Sequence, residues 1–215
     1  MLTAMGDVMR RAYEKGWITT RDGNISLCRM NSKILYITPS GWRKTILHPE
    51  HIMKVRMELH KGYQILSKNP DDKPSGELDM HMQLQRPYRG CRAVVHLHPT
   101  NIIAAMYAGW NLQTIAEEFP EVSRYTRVGP TVPILPVTSP ELANATYDAF
   151  TGSVANVAKY DIIKYDIVGQ ANHGVCAIGD NPWDAYEHIE RLEHICEIVL
   201  RSGRRPPLWE TLHGL

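Results

Sequence analysis

Val94-Val95-His96-Leu97-His98-Pro99 places two histidines at alternate positions at the end of an apolar run. The run reads as a buried strand, and side chains at i and i+2 of a strand share a face. The fold must therefore bury a strand that presents two imidazoles on one side. Buried polar groups need partners, and imidazole nitrogens suit zinc and other divalent transition metals. Two ligands do not complete a site, so the rest of the chain has to provide a third ligand and an open position.

The remaining elements say what can surround that strand. Leu2, Met5, Val8, Met9 and Ala12 recur at helical spacing, and Gly16 ends the pattern. Ile25–Cys28 and Ile34–Ile37 read as a hairpin, followed by a turn at Thr38-Pro39-Ser40-Gly41. Ile52–Leu59 reads as a strand, Ser67–Gly76 as a loop and Leu78–Gln85 as a short helix. Thr100 can cap a helix to Ala108, and Val132–Val137 is an apolar run broken by proline. Ser139-Pro140 opens another helix, Ile162–Gly169 and Val175–Ile178 read as strands, and Asp180–Leu200 as a long amphipathic helix. This alternation predicts a helix-covered sheet in one domain over residues 1–203. The tail over 204–215 reads as an ordered or partner-facing arm, because Leu208 and Trp209 are costly to expose.

With 215 residues the chain can bury a core without disulfides. A net charge of +1 with scattered Lys and Arg gives no field for nucleic acid or anionic membrane. No apolar run approaches the roughly 20 residues a membrane span needs. The four cysteines form no Cys-x-x-Cys pair, which fits small buried hydrophobes in a reducing cytoplasm.

His173 is the candidate third ligand, because Asn172-His173-Gly174 interrupts two strand-like runs and Gly174 permits a tight backbone. Three histidines leave a fourth zinc position open, the catalytic pattern. Glu77, at the end of a loop before a helix, can serve as ligand or general base. Each piece also has a plain reading: Glu77 as a solvated helix start, His173 as a turn histidine. His188 and His194 are explained by helical faces, while His48, His51, His60 and His81 have no pairing that favours a site. Gly23-Asn24-Ile25-Ser26, Thr38-Pro39-Ser40-Gly41 and Lys73-Pro74-Ser75-Gly76 are turns that expose backbone N–H groups, as an oxyanion or phosphate requires.

In order and spacing, Gly23-Asn24-Ile25-Ser26, Ile37-Thr38-Pro39-Ser40-Gly41, Ser75-Gly76-Glu77, His96-Leu97-His98 and Asn172-His173-Gly174 resemble the class II aldolase/adducin family. The resemblance spans roughly Met5 to Gly203. It implies a three-layer α/β/α sandwich around a mostly antiparallel sheet, and a homotetramer with active sites between subunits. It implies zinc on His96, His98 and His173, Glu77 as acid/base, and a phosphate pocket of Gly23, Asn24, Ser40, Gly41, Ser75 and Gly76. The implied reaction is retro-aldol cleavage of a small ketose or ketose 1-phosphate through a metal-stabilised enediolate. Epimerisation, sugar-acid decarboxylation or dehydration can use the same site, and adducin-like relatives offer a non-enzymatic binding module as the contrasting reading. The chain departs from the family's Ser-Ser-Glu at Gly76, where Arg43 is a possible compensation. For the second acid/base, donated across an interface, Tyr125 ranks ahead of Glu117, Glu118 and Glu121. The tail carries Trp209 and His213 where aldolases often have a tyrosine.

Overall fold

The computed structural model describes residues 1–29, 32–58, 62–66, 71–85, 92–152 and 163–207. Its centre is a seven-stranded sheet. In chain order the strands are β1 (Asn24–Cys28), β2 (Ile34–Ile37), β3 (Met53–Met57), β4 (Tyr63–Ile65), β5 (Arg92–Leu97), β6 (Ile167–Gln170) and β7 (Gly174–Gly179). The spatial order is β4-β3-β2-β1-β5-β7-β6, with every neighbouring pair antiparallel. The central strands β1, β5 and β7 are buried throughout but for Gly179, so both faces are covered.

Helices cover both faces. On one lie α1 (Leu2–Glu14), α3 (Thr100–Tyr107), α4 (Leu112–Glu118) and α7 (Pro182–Arg201), with α5 (Pro120–Tyr125) against α7. On the other lie α2 (Leu78–Gln85) and α6 (Pro140–Thr151), packed on each other. This is the three-layer sandwich. Strand alternation sorts the core: Ile25, Leu27, Ala93, Val95 and Leu97 join Met5, Met9, Ile189 and Leu192 under α1 and α7. Val94 joins Met80, Leu84 and Phe150 under α2 and α6. His96 shares the face of Val94, so the imidazole enters the α2 side of the sheet.

Several expected boundaries move. The strand expected over Ile52–Leu59 is Met53–Met57, and that expected over Ile162–Gly169 begins at Ile167. Residues 163–166 instead tie α6 to the sheet, with Lys164 N–H bonded to Phe150 O and Asp166 paired with Arg127. Val132–Val137 contributes one bridge to β6 at Val132, since Pro133 and Pro136 have no N–H for a ladder. Thr100 does not cap α3. The carboxylate of Glu193 does so from α7, accepting from the backbone N–H groups of Asn101 and Ile102. An anionic acceptor at the positive helix end outcompetes a hydroxyl. Ser139 and Pro140 open α6 as expected. Leu59, Ile162, the residues 67–70 of the expected loop and the tail beyond 207, with Leu208, Trp209 and His213, lie outside the described residues.

Candidate metal centre and its acid/base

The site forms at the end of the sheet where β5 stops and β1 and β7 start. Asn24 of β1 is registered opposite His96, and Cys176 of β7 lies on the other side. β5 ends at Leu97, so His98 lies just past the strand; its backbone N–H bonds to Trp17 O at 3.0 Å. His173 sits in the tight β6–β7 turn. His173 N–H bonds back to Gln170 O at 3.0 Å, and Asn172 adopts a left-handed φ of 56°. Gly174 is required here: a Cβ would stand 2.4 Å from Leu97 O and 2.8 Å from a His98 ring carbon.

These turns bring three imidazoles to one point. One ring nitrogen from each of His96, His98 and His173 lies within 4.8 Å of the others. The Nε2 atoms of His96 and His98 are 2.9 Å apart. His96 Nδ1–H donates to Val175 O at 3.0 Å, which leaves Nε2 as a lone-pair donor facing the cluster. Burial, reinforced by the other imidazoles, pushes His96 and His98 down to about 3. Both rings are therefore neutral at neutral pH, the state a metal needs.

Glu77, immediately before α2, lies beside the rings. Its Oε2 is 3.4 Å from His96 Nε2 and its Oε1 4.0 Å from His173 Nε2. Asn24 Nδ2–H donates to Oε2 at 2.7 Å. Glu77 Oε1 and His173 Nδ1 are buried without a hydrogen-bond partner among the described residues. Two orphaned polar atoms in a cluster of three imidazoles and a carboxylate are what a divalent cation would satisfy, so the residues fit a metal.

The three turns converge as well. Thr38 N–H bonds to Ile25 O, and Ile25 N–H to the Thr38 hydroxyl. Ser40 N–H bonds to Lys73 O and Ser75 N–H to Thr38 O, so backbone bonds tie the three turns to one another. Gly41 has open space around it, whereas Gly23 is enclosed by Ile18 and the backbone of His96. Thr138, with φ 60°, packs its methyl over Gly76. A β-branched residue in the left-handed region is strained, and such strain clusters at functional sites.

Tyr125 is not brought to the cluster within one chain. It ends α5, 53% exposed, with its ring beside Arg124 and Arg191. Arg43 is exposed, and its neighbour Lys44 is the buried cation of this region. Lys44 Nζ–H donates to Trp42 O, and burial, opposed by Asp22, lowers it to about 8. Sequence reasoning missed Lys44, which carries no local signal. It also missed His81, fully buried against Asn24 and Ser26. The signal was present there: Glu77 and His81 stand four apart at the start of a helix, hence on one face.

Residues 3–200 match the model of the Class II Aldolase and Adducin N-terminal domain. The chain belongs to this family. Among curated relatives, the 3-oxo-tetronate 4-phosphate decarboxylase of Pectobacterium atrosepticum is 31% identical over 195 residues, covering 90% of this chain and 80% of that one. The 5-deoxy-D-ribulose 1-phosphate aldolase of Bacillus thuringiensis is 28% identical, covering 90% and 81%. The crystal structure of L-fuculose-1-phosphate aldolase from Thermus thermophilus shares the fold, with a TM-score of 0.71 at 24% identity over 98% of this chain and 96% of that one. No helix among the described residues is long and apolar enough to cross a membrane.

Proposed function

We propose that this class II aldolase family member is a zinc-dependent lyase that cleaves a small ketose or ketose 1-phosphate by a retro-aldol reaction. The observation that carries the proposal is the convergence of three imidazoles with a buried carboxylate, one oxygen of which has no hydrogen-bond partner among the described residues. His96, His98 and His173 would hold the metal. Zinc bound there supplies a Lewis acid that polarises a substrate carbonyl.

The other tasks fall to the chain. Glu77 moves a proton at the carbon that takes up the electron pair when the carbon–carbon bond breaks. Asn24 holds the carboxylate in place, while the Ser40 and Ser75 hydroxyls and the N–H groups of Gly23, Gly41 and Gly76 would offer donors to a phosphate, a group named in all three relatives above. Tyr125 would act as the second acid/base only on a neighbouring subunit's site, which fits a homotetramer in the cytoplasm acting on a small carbohydrate. The 31% identity to a decarboxylase supports a second reading, loss of carbon dioxide from a β-keto sugar acid through the same groups.

A panel of ketose 1-phosphates and a phosphorylated β-keto acid tests both. The expected product is dihydroxyacetone phosphate with an aldehyde; carbon dioxide would move the assignment to the second reading. Chelator should abolish turnover, and Glu77→Gln should lower kcat by about 100-fold or more. Full activity in Glu77→Gln would remove Glu77 from its role.

A further inference from the structure

Beneath Glu77 runs a buried chain of hydrogen bonds whose direction is fixed by chemistry. A carboxylate only accepts, so the amide nitrogen of Asn24 must face Glu77 Oε2. The carbonyl oxygen of Asn24 therefore faces His81 Nε2, at 2.5 Å, and that nitrogen must carry the proton. Nδ1 of the same ring is then an acceptor, and the Ser26 hydroxyl, 2.7 Å away, must donate to it. The Ser26 oxygen in turn accepts from Gln85 Nε2 at 3.2 Å. Every donor points toward Glu77, and each link is on β1 or α2, the elements that flank the site.

We propose that His81 is a positioning residue: locked as the neutral Nε2–H tautomer, it turns the Asn24 amide so that Glu77 is held by Oε2 alone and Oε1 is left to carry the proton. Two observations support this beyond the bonds themselves. His81 and Ser26 are fully buried, so water does not substitute for any link. Glu77 Oε1 is buried without a hydrogen-bond partner among the described residues, while Oε2 accepts from Asn24 and lies near His96. Both ring nitrogens of His81 are engaged, which also makes His81 a poor proton acceptor and keeps the proton on Glu77 during turnover. Flipping either the Asn24 amide or the His81 tautomer would set two acceptors or two donors face to face, so the chain admits one arrangement.

The inference rests on Glu77 as the acid/base, and its tests separate the two. Two-bond 1H–15N correlation spectra of the zinc-loaded full chain at pH 7.5, assigned by difference with His81→Gln, report the tautomer without any substrate. The expected pattern is neutral Nε2–H; an Nδ1–H pattern or a charged ring overturns the proposal. On an active substrate, His81→Leu should lower kcat about 30-fold with KM changed less than threefold. His81→Gln, whose amide can donate to Asn24 and accept from Ser26, should recover most of that loss. Wild-type kcat in His81→Leu, or no recovery with His81→Gln when both variants are folded, would overturn it. If the wild-type enzyme turned over nothing in the panel while the spectrum showed Nε2–H, the proposed reaction would fail and the directional chain would stand.

Discussion

Burial sets the charge state of the central histidines before any ligand arrives. His81, His96 and His98 are pushed down to about 3, desolvation being the first cause for each, against about 6.5 in an unfolded chain. Between those values the unfolded chain binds more protons than the folded one, so stability rises with pH through that window. The contribution is fully present above about 6.5 and is lost as pH falls toward 3. Urea midpoints of the metal-stripped protein should therefore drop steadily from pH 7 to pH 5; a flat profile would contradict the buried, neutral assignment. At this scale the sequence was legible where a residue type was out of place. Two histidines in an apolar run demanded partners, and a histidine between strand-like runs offered one. Lys44 and His81 were hidden for opposite reasons. Lysine gives no local sign of being buried, and a histidine within a helix resembles any core-facing polar residue until its i−4 neighbour is known to be functional.

The elements position the site by close backbone approach. The β6–β7 turn can place His173 only because Gly174 lets its chain pass over Leu97 and His98. Gly174→Ala must shift one of them, because a Cβ at 2.4 Å from a backbone oxygen has no flexible side chain to displace. We expect a loss of roughly 1–3 kcal/mol of stability, as for other overpacked sites, with weakened metal retention, read by thermal unfolding and elemental analysis together. Unchanged stability and metal content would mean that the turn is looser than described. Helix and strand periodicity located α1, α2, α6, α7 and the central strands because each buries a stripe or both faces. It did not reveal α4 and α5, two short helices separated by Phe119 whose order depends on packing against α7. Nor could it reveal that Glu193, distant in sequence, caps α3, since tertiary capping leaves no local pattern.

For the whole molecule, all the proposed site groups but Tyr125 come together within one chain. The histidines, Glu77, Asn24 and the three linked turns converge at one end of the sheet. Tyr125 lies on the α5–α7 side, with no hydrogen bond or ring contact to the three histidines among the described residues. Its proposed role therefore requires a second copy, a relation that the ordered motifs of one sequence cannot display. The ordered motifs did carry the fold, because the sandwich is what brings these separated turns together. The central claim is that His96, His98 and His173 hold a catalytic metal. Its most direct test is elemental analysis of wild type and His96→Ala purified alike. The account predicts about one zinc per subunit in wild type and little in the variant. Metal absent from both after zinc is supplied, or equal in both, would contradict it.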